Sequence, residues 1–143
     1  MEINKDLLES LLAEAKENPR LRQNFDLRTS FADTSQRMLN ALQPQTEVPI
    51  HQHEKTAETV ICLVGKLEEI IYEEVNEYVH EATSCCDDVI RQKNFKEVSR
   101  QILSPAEGKF GIQIPAGAWH TINVIEPSVI FEAKDGAYRR GDR

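Results

Sequence analysis

The stretch His51-Gln52-His53-Glu54-Lys55-Thr56-Ala57-Glu58-Thr59-Val60-Ile61-Cys62-Leu63-Val64-Gly65, read together with Pro115-Ala116-Gly117-Ala118-Trp119-His120, decides the fold. Residues two apart on a strand share a face. His51 and His53 therefore project together, their Cα atoms about 6.6 Å apart at ~3.3 Å per residue. Glu54 to Ala57 is long enough to turn the chain. Glu58 then opens a strand whose face also carries Val60, Cys62 and Val64. A carboxylate on an apolar face is costly unless it is paired or bound to a metal. Pro115 and Gly117 shape a tight turn, and His120 starts the strand after it. Three imidazoles and one carboxylate are a ligand set for a first-row transition metal. The expected ligands are His51, His53, Glu58 and His120, holding one divalent ion of Fe, Mn, Zn or Ni.

Outward from this stretch, the chain reads as one mainly β domain over 1–143 with an N-terminal helix. Leu7, Leu8, Leu11, Leu12 and Ala15 follow the i, i+3, i+4 rule, which predicts an amphipathic helix over 4–17. Asn4 is its N-cap, and Asn18-Pro19 ends it. The apolar face needs a partner, either the body of the domain or the same helix of a second subunit. Residues 20–35 carry turn formers and few large apolar side chains, and read as an irregular arm. Short strands follow at Met38–Leu42, Ile50–His53, Glu58–Val64, Leu67–Tyr72, Gly111–Ile114, Trp119–Ile125 and Ser128–Lys134. Gly65-Lys66 reads as a tight turn that pairs 67–72 back on 58–64. Pro115-Ala116-Gly117 and Glu126-Pro127 punctuate the later strands. Many short strands in this arrangement point to a sandwich or barrel, placed at 36–134.

Between the two halves lies an extension over 73–100. Its first arm carries Glu73, Glu74, Glu77, Glu81, Asp87 and Asp88; its second carries Arg91, Lys93, Lys96 and Arg100. Opposite charge on two arms favours a long hairpin or a helix pair. The tail over 135–143, rich in charge and glycine, reads as frayed.

Composition narrows the function. A chain of 143 residues with 40% hydrophobic residues buries roughly 68% of its unfolded surface. The net charge of -7 argues against a general binder of nucleic-acid phosphates, whose affinity is a cationic term, and against adhesion to anionic membranes. No apolar run approaches the ~20 residues of a spanning helix. Glu2, Asp6 and Glu9 interrupt the leucines where a signal peptide would be basic and then apolar. The expected location is the cytoplasm. Cys62, Cys85 and Cys86 agree, since adjacent cysteines make a poor disulfide. Cys62 reads as a small buried hydrophobe and His80 as a surface histidine. Trp119 alternates away from His120 and reads as a packing residue. Arg28 and Arg37 are the candidates for substrate binding among the arginines near the arm, and Tyr72 and Tyr138 the candidates for catalysis.

His51-Gln52-His53, Glu58 and Gly65 resemble the first conserved motif of the cupin superfamily, and Pro115 to His120 resemble its second. The chain departs from those motifs at Gln45, where the first opens with Gly, and at Val124, where the second closes with Asn. The resemblance implies a small antiparallel jelly-roll barrel, with the metal between the motifs on His51, His53, Glu58 and His120. A narrower resemblance, to the WbuC type of cupin-fold metalloprotein, extends over nearly the whole chain. It rests on Pro19-Arg20-Leu21-Arg22-Gln23-Asn24, Gln36 to Leu42, Ile114 to Thr121 and Phe131 to Tyr138. Members of that type are found among bacterial surface-polysaccharide genes.

The leading expectation is a metal-dependent enzyme acting on a small polar molecule of the sugar or sugar-nucleotide class, as an isomerase or epimerase or as an oxygenase. A non-catalytic module that binds or senses a small molecule through its metal is the first alternative. A structural dimeric barrel stapled by its metal is the second. The helix face, Trp119 and the family habit point to a homodimer.

Overall fold

The computed structural model describes residues 1–82 and 87–136, the side chains of 77–82 and 87–92 excepted. Cys85, Cys86 and the tail from 137, Tyr138 included, lie outside the described residues, as does the side chain of His80.

Helix α1 runs Lys5–Glu17. The Asn4 side chain caps it by accepting from the Leu7 N–H at 3.0 Å, which satisfies one of the free amides of the first turn. Its apolar stripe settles on the body of the domain. Leu11 and Ala15 bury against Leu39, Ala41 and Val129, with Leu7, Leu8, Leu12, Phe25 and Phe131 around them.

Six strands follow: β1 (Arg22–Asp26), β2 (Ser35–Leu42), β3 (Glu58–Ala82), β4 (Asp87–Leu103), β5 (Gly111–Ile114) and β6 (Trp119–Asp135). They form one antiparallel sheet in the order β1-β2-β6-β3-β4, with β5 on the early part of β3. β1 and β4 are its edges, so the sheet is not closed by hydrogen bonds. Its inward face carries Leu42, Val60, Cys62, Leu67, Leu103, Ile114, Ile122, Val124 and Ile130. Its other face carries Leu39, Ala41 and Val129 under the helix. The alternation of Ala41 with Leu42, and of Val129 with Ile130, is the two-residue period of a strand covered on both sides.

The sheet is sharply rolled. On the β3–β6 ladder Glu58 faces Lys134, and Ile71 faces His120. Thirteen strand residues span about 43 Å if flat. Yet His120 Nε2 lies 3.4 Å from Glu58 Oε2, so the two ends of the ladder are folded onto one another. The fold falls where the register slips three times, between Cys62 and Leu67. Such bulges bend a strand and change which parity faces inward. Glu58, Val60 and Cys62 are buried before the slip, and Leu67 and Glu69 after it.

Gly65 stands at this corner with φ +96. A Cβ there would collide with the Pro127 carbonyl oxygen and lie 2.7 Å from Ser128 Cα. Ser128 Oγ accepts from the Lys66 N–H at 3.0 Å and donates to Glu126 O at 2.7 Å, holding both strands through the bend.

Several expectations are corrected here. Gly65-Lys66 does not close a hairpin between 58–64 and 67–72; β3 continues through it as a bulge. A glycine with positive φ serves both purposes. Glu126-Pro127 does not separate two strands. Pro127 sits where β6 has no partner on β2 or β3, so its missing N–H costs no ladder bond. The segment 22–26 is not irregular. It pairs with β2 from Arg22↔Leu42 to Asp26↔Met38, as a half-covered edge strand that needs few large apolar residues. β2 begins at Ser35 rather than Met38. The short strand expected at Ile50–His53 shrinks to a single bridge, His51↔His120. The extension is the hairpin of β3 and β4, in register from Tyr72↔Glu97 to Ala82↔Asp87. Lys93 pairs with Glu74 at 3.8 Å and Arg100 with Glu68 at 3.1 Å, so charge on the described part of the two arms does match across the strands.

Gly65→Ala should cost about 2–5 kcal/mol, combining left-handed strain with a backbone collision. Gly117→Ala, at φ +82 with open space around it, should cost only about 1 kcal/mol. Urea unfolding of both variants checks this; equal losses would contradict the account of the corner.

Candidate metal centre

The two motifs meet across the bend. His51 N–H donates to His120 O at 3.0 Å, and His120 N–H returns to His51 O at 2.8 Å. Gly117 N–H donates to His53 O at 2.8 Å, and the 115–118 turn is closed by Ala118 N–H to Pro115 O at 3.2 Å. Backbone bonds thus fix the segments before any side chain is considered.

The imidazoles are aimed by their own backbones. His51 Nδ1 lies 2.8 Å from Pro49 O, and His120 Nδ1 lies 2.9 Å from Ala118 O. A carbonyl accepts only, so each Nδ1 carries the proton and each Nε2 presents a lone pair. Fixing the tautomer through the far nitrogen is the usual support of a metal-ligating histidine. The ring centres of His51 and His120 are 4.1 Å apart, and His53 stands 5.4 and 5.5 Å from them. His53 Nε2 is 3.0 Å from Glu58 Oε2.

One donor atom from each of His51, His53, Glu58 and His120 lies within 4.8 Å of every other. Two donors on opposite sides of an ion at ~2.1 Å are about 4.2 Å apart, so the set fits a single ion with small adjustment. Glu58 and His120 are fully buried, while His51 and His53 are half-buried. That gradient leaves one side of the cluster open to an incoming ligand. All four residues singled out in the sequence are brought together.

The other candidates lie elsewhere. Arg28 grips Asp26 through Nε and Nη2, at 3.1 and 2.9 Å to Oδ2, and holds that carboxyl below the usual range. Arg37 pairs with Asp33 and bonds Ser35 O at 3.2 Å, and the Asp33 carboxyl is likewise lowered. Tyr72 faces Trp119 in register, and its ring meets Phe95 at 6.5 Å. Phe95 packs on Trp119 at 4.9 Å, with Lys93 Nζ over the indole at 4.7 Å. This aromatic group lies on the face of β6 that His120 does not use.

Two acids that the sequence reading passed over share the inward face. Glu69 is opposite Ile122 and Glu132 is opposite Val60; both are buried at or below 1% exposure. Their signal was present in the alternations Leu67-x-Glu69-x-Ile71 and Ile130-x-Glu132. Each puts a carboxylate in step with core residues.

Solved structures similar to this chain are cupin-fold proteins. TT1209 from Thermus thermophilus is 20% identical, with 95% of this chain and 98% of that chain covered and a TM-score of 0.55. KdgF from Halomonas sp. is 15% identical, covering 85% of this chain and 84% of that one at a TM-score of 0.54. The cupin domain of Cnp3 from Schizosaccharomyces pombe is 10% identical, over 81% of this chain and 65% of that one, with a TM-score of 0.49. At these identities the likeness is one of fold. The chain belongs to the family described as a domain of unknown function (DUF6016), whose model matches residues 3–83. That match includes His51, His53 and Glu58. No curated protein matches. Among the described residues no helix is long and apolar enough to cross a membrane.

Cys62 is buried in the core, and burial pushes its thiol up to about 11. From an ordinary value of 9.0, the thiolate fraction at neutral pH drops about 100-fold. Iodoacetamide should therefore label Cys62 at least that much more slowly in the folded chain than in urea, as read by peptide mass spectrometry. Comparable rates would contradict the buried placement.

Proposed function

We propose that the protein is a metal-binding cupin over 1–143, its rolled sheet the jelly-roll barrel of that fold. We further propose that it is a metal-dependent enzyme for a small polar molecule of the sugar or sugar-nucleotide class. The observation that carries the metal reading is the convergence of four donor atoms within 4.8 Å, two of them on imidazoles locked through Nδ1. The WbuC-type resemblance supports the polysaccharide context, an isomerase, epimerase or oxygenase reaction, a cytoplasmic location and a homodimer.

His51, His53, Glu58 and His120 would hold the ion. A divalent ion bound there supplies Lewis acidity toward a carbonyl or hydroxyl oxygen and a water of lowered pKa. The chain's own part is positional. The backbone carbonyls of Pro49 and Ala118 hold the protons of His51 and His120 at Nδ1, which keeps Nε2 toward the centre. The apolar wall of Val60, Ile114, Ile122 and Ile130 excludes water from the interior, strengthening each polar contact made there. Glu69, one diagonal step from His120 across the β3–β6 ladder, is the carboxylate on this face suited to take a proton from a ligand at the cluster.

Protein purified without a histidine tag should carry close to one metal per chain by elemental analysis. His120→Ala should lose most of it, since three ligands bind far more weakly than four. Acidification to about pH 5 should release the ion, because imidazole must be neutral to ligate. Chelation of the wild type should lower the melting temperature by roughly 10 °C, if the site is saturated about 1,000-fold above its Kd. Full occupancy in His120→Ala, or retention of metal well below that pH, would refute the ligand assignment.

A further inference from the structure

Behind the cluster, the inward face of the sheet carries a second polar group. On β2, Gln36 and Asn40 lie on the same face as Leu42 and are 4% and 1% exposed. On the β2–β6 ladder Glu132 is opposite Met38, with Asn40 opposite Ile130 and Gln36 opposite Lys134. Glu132 is therefore the diagonal neighbour of both amides. On the β3–β6 ladder Glu132 is opposite Val60, and Glu58 is opposite Lys134. Glu132 is thus also the diagonal neighbour of the metal-cluster acid. One unbroken polar path runs from Glu58 through Glu132 to Asn40 and Gln36, inside an otherwise apolar face.

The amides are not satisfied within the protein. Neither Asn40 Nδ2 nor Asn40 Oδ1 has a hydrogen-bond partner, nor has Gln36 Oε1. Leaving a buried polar atom unpaired costs about 1–3 kcal/mol, and a fully buried carboxamide without partners on either atom is rare in a folded chain. Structure alone gains nothing from Asn at position 40, where Leu has nearly the same shape. Three open amide atoms at one recess beside the metal cluster are the signature of a bound molecule that completes them.

Resting on the metal-dependent reading above, we propose that Gln36, Asn40 and Glu132 form the binding recess for the hydroxyl groups of a neutral sugar or polyol. Hydroxyls match the recess because each donates one hydrogen bond and accepts others. They can give to Glu132, Gln36 Oε1 and Asn40 Oδ1, and take from Asn40 Nδ2. Charge decides against phosphorylated, nucleotide-linked and carboxylate ligands. Glu58, Glu69 and Glu132 all face inward, so three carboxylates stand against the two charges of one divalent ion. An anion at the recess would meet net repulsion in a low-dielectric interior.

The test is isothermal titration of the full chain loaded with zinc. The neutral probes are D-glucose, D-galactose, D-mannose, N-acetyl-D-glucosamine and sorbitol; the anionic probes are glucose 6-phosphate and citrate. At least one neutral probe should bind, and more tightly than either anion. Asn40→Leu or Glu132→Gln should weaken it at least fivefold with zinc content unchanged. If Asn40→Leu fails to fold by circular dichroism, Glu132→Gln carries the result. No binding of any neutral probe, tighter binding of an anion, or a change below fivefold in every folded variant overturns the proposal. Zinc content separates the two readings. A chain that takes up no zinc but loses hexose affinity in these variants contradicts the metal centre and supports the recess.

Discussion

The bend between Cys62 and Leu67 is the constraint on which the rest of the molecule depends. A long antiparallel ladder of β3 and β6 would, if flat, hold Glu58 and His120 about 43 Å apart. Folding it at Gly65, with φ +96 and the Pro127 carbonyl where a side chain would be, brings those residues to 3.4 Å. Ser128 secures the corner by accepting from Lys66 and donating to Glu126. The same register slip changes the inward parity of β3, so Glu58 on one limb and Glu69 on the other both face the interior. Geometry at the corner and chemistry at the centre are consequences of a single backbone irregularity.

The interior that results is mixed in a directed way. Apolar residues line most of it, and the polar ones fall along the path from His120 and Glu58 to Glu132, Asn40 and Gln36. Burying three acids and two amides carries a desolvation cost, and a fold selected only for stability has no use for them. A metal offsets the charge of Glu58, and a hydroxyl-bearing ligand offsets the open amides. The site and the recess therefore form one functional interior, entered from the half-buried side of His51 and His53.

Much of this was legible in the sequence, for identifiable reasons. The helix followed from a clean 3.6-residue period and an Asn4 cap. The ligand set followed from two motifs whose residue types have few other uses together. The two arms of the 73–100 extension carried opposite charge, and they are the strands of one hairpin. What escaped was of a different kind. Gly65 looked like a hairpin turn because positive φ serves a turn and a bulge equally well; only long-range pairing distinguishes them. β1 escaped because an edge strand with the burial of Arg22–Asp26 leaves almost no apolar signature. Glu69 and Glu132 escaped because acids in strands are usually read as solvent-facing, although their alternation with Leu67, Ile71 and Ile130 marked them as inward.

The most direct test of the central claim is X-ray absorption spectroscopy at the edge of the metal bound to the wild-type chain. The account predicts a first shell of nitrogen and oxygen at about 2.0–2.2 Å, with outer-shell scattering from three imidazole rings and no sulfur. A shell with one imidazole or none, or one containing sulfur, would contradict the convergence of His51, His53, Glu58 and His120 at the folded ladder.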